Sequence, residues 1–440
     1  MRSLRARRWL GASLCIAAGC ADQTVQRTVQ LSMDSGSVGL GGLDASSNDA
    51  GSPREDGSLL GLSDCLGDEL VFSVAQSAER TFGAAVDGTQ VHLLYLEQGC
   101  GGVGLPGDPR GLRYARFVTT GGVESDVALP SPHCASVRSP VVLAQAGSVA
   151  AFFATTSERG YALQSSALDQ GSANAERAPL LSLDGPLAAT LSGSAATPLA
   201  AYVPDSRSRD AGSAILTVQG STSAELLSAS AQHHPVALAI AALAPGAEFA
   251  GAASWVNDRS DSAGVYLRMI DDAGAGAGPV TVLSDAPGSR SAVATATRKQ
   301  GVGVVYSEAP GEADVHQLRF RQVSPHGSVG DAVSLTQGDQ DVGQAAIAAY
   351  SNGYVIAYRH LGGSLNRQAE VRLQFIDSVG NRGGERFVAP TTISGTAIDV
   401  RVADDGRVIV LWDALDLIES PDAGAPESVA RLHVVRLLCL

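Results

Sequence analysis

Seven apolar runs, each ending near an aromatic residue and spaced almost evenly, predict an all-β chain folded as a seven-bladed β-propeller with four-stranded blades. The runs are VHLLYL, VAAFFA, PLAAYV, GAASWV, GVVYS, VIAYR and VIVLWD, with markers Tyr95, Phe153, Tyr202, Trp255, Tyr306, Tyr358 and Trp412. Their successive gaps of 58, 49, 53, 51, 52 and 54 residues leave room for four short strands per unit. Composition points the same way. Of 440 residues 45% are hydrophobic but only 5% aromatic, with 50 glycines against 19 prolines, so the core must be built from small and β-branched side chains that suit strands. The third observation is a strand missing from the last unit and a spare one ahead of the first.

Each unit opens on a small-residue strand, as in GAAV, LAAT, AIAALA, AVATA and AIAAY. Innermost strands crowd together near a propeller axis, and alanine fits there. The aromatic-bearing second strand is apolar almost throughout, as expected where both faces lie between neighbouring blades. Third strands alternate (LRYARFV, VYLRMID, LRFRQV, VRLQFID, RLHVVRL), which marks one wetter face and an outer position. Turns such as DDAGAG and DSVGN then lead to fourth strands such as PVTVLS and DAVSLT. The marker aromatics read as packing residues. A string of β-sandwich domains of roughly 100 residues, each absorbing two units, is the competing architecture, but it has no use for a terminal cysteine.

The seventh unit, AIDVRVADD, RVIVLWD and RLHVVRLLCL, stops one strand short. DELVFSVAQ, Asp68 to Gln76, lies unused before the first unit, and added antiparallel to the last strand it would close the ring. Cys65 precedes that strand and Cys439 follows its partner, so such pairing brings the two thiols together. Cys100, in the loop between the second and third strands of blade one, and Cys134, in the passage to blade two, would share a face and form the second disulfide. Two free, buried thiols are the competing reading, since four cysteines allow three pairings.

The chain begins MRSLRARRWLGASLCIAAGC: a basic head, an apolar run too short to span a bilayer, and small residues before a cysteine. AAGC resembles the lipobox of bacterial lipoproteins, with Ala17 where that family favours leucine. The resemblance implies that residues 1–19 are a signal peptide, that cleavage occurs before Cys20, and that lipid is attached to its thiol. An ordinary secretory leader cut a few residues later is the alternative. Ala21 follows Cys20, with Asp22 one residue on, so the inner-membrane retention signal is missing and the outer membrane is the expected location. Residues 20–63, rich in Gly, Ser and Asp, read as a flexible tether, and 64–440 as the propeller.

Lys299 is the single lysine, and removing Arg2, Arg5, Arg7 and Arg8 with the leader takes net charge from −14 to −18. So acidic a body argues against nucleic acid, which needs basic stripes. Loops between second and third strands are long and polar, and surface loops on a rigid scaffold carry binding. Asp258, Asp261, Glu308, Asp314, His360 and Asp413 are the candidate binding-face residues. Glu312 and Asp416 are further carboxylates available to a glycosidase pair, which needs two carboxyls roughly 5–10 Å apart. His133, His233 and His234 fall on the same face, without spacing that would hold a metal. No HExxH, GxSxG or GxxxxGK[ST] motif is present, and no cofactor is expected. The expectation is an envelope-anchored, non-enzymatic binding or scaffold module for a protein or glycan ligand; the alternative is a propeller glycoside hydrolase or lyase acting on extracellular polysaccharide. The chain resembles bacterial propeller lipoproteins in general, which implies location and scaffold only.

Overall fold

The computed structural model describes residues 25–29, 66–76, 80–97, 111–129, 137–145, 147–157, 160–169, 172–174, 182–191, 198–204, 213–219, 222–230, 232–244, 247–258, 262–285, 293–299, 301–309, 315–336, 341–361, 369–392, 395, 397–418 and 427–438. All regular structure among them is β. After β1 (Val25–Val29) and β2 (Leu66–Ser73), the first unit comprises β3 (Phe82–Asp87), β4 (Gln90–Leu96), β5 (Leu112–Val118) and β6 (Val123–Ala128). The second has β7 (Val137–Gln145), β8 (Ser148–Ser157), β9 (Gly160–Asp169) and β10 (Ser172–Asn174); the third β11 (Ser182–Leu191), β12 (Pro198–Pro204), β13 (Ser213–Gln219) and β14 (Thr222–Ser230). The fourth has β15 (Pro235–Ala242), β16 (Gly251–Asn257), β17 (Gly264–Ile270) and β18 (Gly276–Ser284); the fifth β19 (Val293–Arg298), β20 (Gly301–Glu308), β21 (Gln317–Val323) and β22 (Val333–Ser334). The sixth has β23 (Val342–Tyr350), β24 (Gly353–His360), β25 (Ala369–Asp377) and β26 (Arg382–Thr391).

The seventh unit holds only β27 (Ile398–Val402), β28 (Val408–Ile418) and β29 (Glu427–Leu438). Its fourth strand is β2, antiparallel to β29 from Leu66 opposite Leu438 to Ser73 opposite Arg431. The chain thus forms seven four-stranded antiparallel units, the arrangement of a seven-bladed propeller, with a β9–β11 pair joining units two and three into one eight-stranded sheet. Within the span read as a tether, Val25–Val29 is a strand that adds to the outer side of β2; the rest of 20–63 lies outside the described residues.

Packing follows from the small first strands. β3, β7, β11, β15, β19, β23 and β27 touch in succession, and β27 touches β3. The buried apolar residues fall into seven clusters, one between each pair of neighbouring units, including one that joins Leu70, Leu411 and Leu432 of the seventh to Phe82, Tyr95 and Phe117 of the first. The marker aromatics obey one rule. Phe153 packs on the first unit, Tyr202 on the second, Trp255 on the third, Tyr306 on the fourth, Tyr358 on the fifth and Trp412 on the sixth. Each faces the unit before it, and Tyr95 faces the seventh.

Candidate functional site

In each meander the first-to-second and third-to-fourth connections lie at one end and the second-to-third connections, with the unit-to-unit passages, at the other. Tight turns mark the first end in units four and six. Asp271 and Asp377 each accept two backbone N–H groups through Oδ1, from Ala273 and Ala275 and from Val379 and Asn381, while Gly274 and Gly380 close these turns at φ of 84° and 93°, a conformation that favours glycine. The second end, here the loop end, is where the sequence placed binding.

At the loop end of the fourth unit, Asp258 follows β16 and its Oδ1 lies 2.7 Å from His234 Nδ1. Both side chains are exposed. Asn257 pins them from beneath, accepting the His234 N–H at 2.5 Å and donating Nδ2–H to Gln232 O at 2.8 Å and Ser262 O at 3.0 Å. A second histidine–carboxylate pair, missed in the sequence, joins His316 Nδ1 to Asp341 Oδ1 at 3.4 Å. His360, the last residue of β24, has its Nδ1 4.0 Å from Glu370 Oε2 and is largely buried. Imidazole–carboxylate pairs of this kind can bond hydroxyl groups both as donors and as acceptors.

Glu308 and Asp413 are both engaged by neighbouring side chains. Glu308 ends β20 and ties two units together: Oε1 accepts from Arg319 Nε at 3.0 Å and Oε2 from Ser284 Oγ at 2.7 Å. Asp413, expected in a loop, lies inside β28 with its side chain 9% exposed. The strand continues past Trp412 because its partner β29 runs back to Glu427, giving Asp413 a register mate in Leu432. Its Oδ1 accepts the Ala397 N–H at 2.8 Å and faces Arg359 Nη2 at 3.5 Å, while Thr81 Oγ1 donates to Oδ2 at 3.5 Å. Arg359 is itself fully buried, donating to the Gly395 and Asp413 carbonyls, and burial pushes its pKa down against the pull of Asp413. Asp413 therefore locks units six, seven and one together. Asp261, Asp314, Glu312 and His133 lie outside the described residues, as do Cys20, Cys65, Cys100, Cys134 and Cys439. Among the described residues no group of three or more metal-ligating side chains gathers.

A half-buried polar triad repeats further out. Tyr95 Oη donates to Asp126 Oδ2 at 2.8 Å, and Arg113, opposite Tyr95, binds Asp126 Oδ1 at 2.9 Å. Tyr358 Oη and Arg372 Nη1 bind Glu385 Oε1 at 2.5 and 2.8 Å in the same way. Burial and the Glu385 hydrogen bond both push the Tyr358 hydroxyl far up. In the seventh unit Trp412 takes the aromatic place, His433 the basic one and Glu69 the acidic one, with His433 Nδ1 2.7 Å from Glu69 Oε1. Asp126, Glu385 and Glu69 each sit two residues before the fourth-strand residue opposite the basic group. β2 thus supplies the seventh unit's carboxylate from the other end of the chain.

No protein-family model and no curated protein matches the chain. Among solved structures it is similar to the endosialidase of phage phi92 at 9% identity and TM-score 0.50, over 84% of this chain and 69% of that one. It is also similar to a prolyl endopeptidase (11% identity, TM-score 0.49, 76% and 45% covered) and to the Dos1 propeller (10% identity, TM-score 0.44, 83% and 93% covered). The chain spans less than half the length of the prolyl endopeptidase. What it shares with the phage phi92 endosialidase is the β-propeller fold.

Proposed function

We propose that this chain is an envelope-anchored lipoprotein whose propeller is closed into a ring by β2 and whose loop end engages extracellular polysaccharide. The observation that carries the ring is the facing of the markers: Tyr95 packs on the seventh unit as the other six pack on the unit before them. Cys65 and Cys439 immediately flank the register pair Leu66–Leu438, which supports a disulfide across this seam. Closing so long a loop is nominally worth about 6 kcal/mol in the chain-entropy model. Cys100 and Cys134 are then the remaining pair. Peptide mapping of the unreduced protein tests this, and Cys65 linked to any cysteine other than Cys439 overturns it.

Of the two activities considered, hydrolysis or lysis of polysaccharide has the support of the fold shared with the phage phi92 endosialidase. Non-enzymatic binding is favoured by the engagement of Glu308 and Asp413 in pairs with Arg319 and Arg359. Incubation with a panel of bacterial polysaccharides separates them. New reducing ends or unsaturated products, lost in Asp258→Asn, support the enzyme; retention of polysaccharide without product supports the module. Anchoring at Cys20, with the outer membrane as the site, is tested by labelling with a clickable fatty acid in wild type and Cys20→Ser.

A further inference from the structure

β1 fixes where the chain enters the propeller. It runs antiparallel to β2 with Val25 opposite Val71 and Val29 opposite Gly67. The two ends of β2 are identified by their neighbours. Gly67 lies opposite Leu437, which pairs with Val408 beside the β27–β28 turn, at the tight-turn end. Past Ser73, Val74 bridges Glu97 just beyond β4, at the loop end. The chain therefore comes into β1 from the loop end.

Only four residues separate Cys20 from Val25, and the five Cα–Cα steps reach at most about 18 Å even fully extended. A free tether over 20–63 would instead have a root-mean-square span of roughly 35–40 Å and no preferred side. We infer that the protein anchored at Cys20 stands with its loop end turned toward the bilayer, so that whatever this end engages is met at the membrane surface. This inference rests on the lipid-anchor reading above. It turns the tight-turn end, with Gly274 and Gly380, toward the solvent.

Two exposed apolar side chains mark the two ends: Leu417, near the end of β28 at the loop end, is 72% exposed, and Val379, in the β25–β26 turn, is 75% exposed. A fluorophore placed at either position by a noncanonical amino acid, in lipidated full-length protein on vesicles with a headgroup-attached quencher, reads their distance from the bilayer. Quenching several-fold stronger at 417 than at 379 is expected, with the bias abolished by Gln26→Pro combined with Thr28→Pro, which removes β1 from β2. Equal quenching at both positions in protein that carries the fatty-acid label overturns the inference and leaves the anchor standing. A bias that survives the double proline variant also overturns it, because β1 is then not its cause. Absence of the fatty-acid label in wild type overturns inference and anchor together.

Discussion

His433 makes the seam between the chain's two ends sensitive to pH. Its imidazole, on β29, links that strand to two others: Nδ1 is 2.7 Å from Glu69 Oε1 on β2, Nε2 is 3.3 Å from Asp416 Oδ1 on β28, and the ring stacks on Trp412, also on β28, at 5.1 Å and 9°. Arg431 also faces Asp416, at 3.7 Å. Burial works to lower the imidazole's pKa, and the hydrogen bonds to Asp416 and Glu69 outweigh it, raising the pKa from 6.5 to about 9. A group whose pKa is higher folded than unfolded stabilises fully below its unfolded value, and that contribution is lost as pH rises through the folded value. The gap corresponds to about 3 kcal/mol, which for a body of this size is about 4 °C in melting temperature. His433→Phe keeps the stacking and removes both ion pairs. Melting curves of wild type and variant should differ by about 4 °C more at pH 6 than at pH 10. A difference independent of pH would refute this reasoning.

Other substitutions probe the remaining contacts. Asp413→Asn leaves the buried Arg359 without a counter-charge and should cost about 3–5 kcal/mol in denaturant unfolding. Trp412→Ala, which empties the contact between units six and seven, should cost a similar amount, about 3–5 kcal/mol. Gly301 has φ of 137° and any Cβ there would run into the Val323 carbonyl, whereas Gly88, at φ of 63°, faces open space. Gly301→Ala should therefore destabilise by more than the about 1–2 kcal/mol expected of Gly88→Ala from its backbone conformation alone, and equal midpoints for the two would contradict the geometry.

The repeat was legible because it is local. Each marker aromatic closes an apolar run that must be buried on both faces, and the alternation of strands such as LRFRQV shows which face is wet. The role of DELVFSVAQ could be read because the seventh unit visibly lacks a strand. β1 could not, since VQRTV has only two apolar residues and pairs along the outer side of β2. Asp413 was misplaced for a different reason. Its fate depends on Arg359, one whole unit earlier in the chain, and on Thr81, more than 300 residues away, so nothing beside it in the sequence marks it as buried. The same holds for His316 and Asp341, which come from different strand ends and meet only once the fifth and sixth units are built.

The pair Asp68–Arg436 offers the most direct test of the central claim that the two extremities of the body complete one blade. They stand opposite each other in the β2–β29 register, and the fully buried Arg436 guanidinium grips both carboxylate oxygens, with Nε 2.9 Å from Oδ1, while also donating to the Val118 and Gly121 carbonyls of the first unit. A double-mutant cycle with Asp68→Asn and Arg436→Gln, read by denaturant unfolding, should show a coupling of about 2 kcal/mol. Single-mutant effects that simply add, within about 0.5 kcal/mol, would mean that the N-terminal strand does not lie beside the C-terminal one.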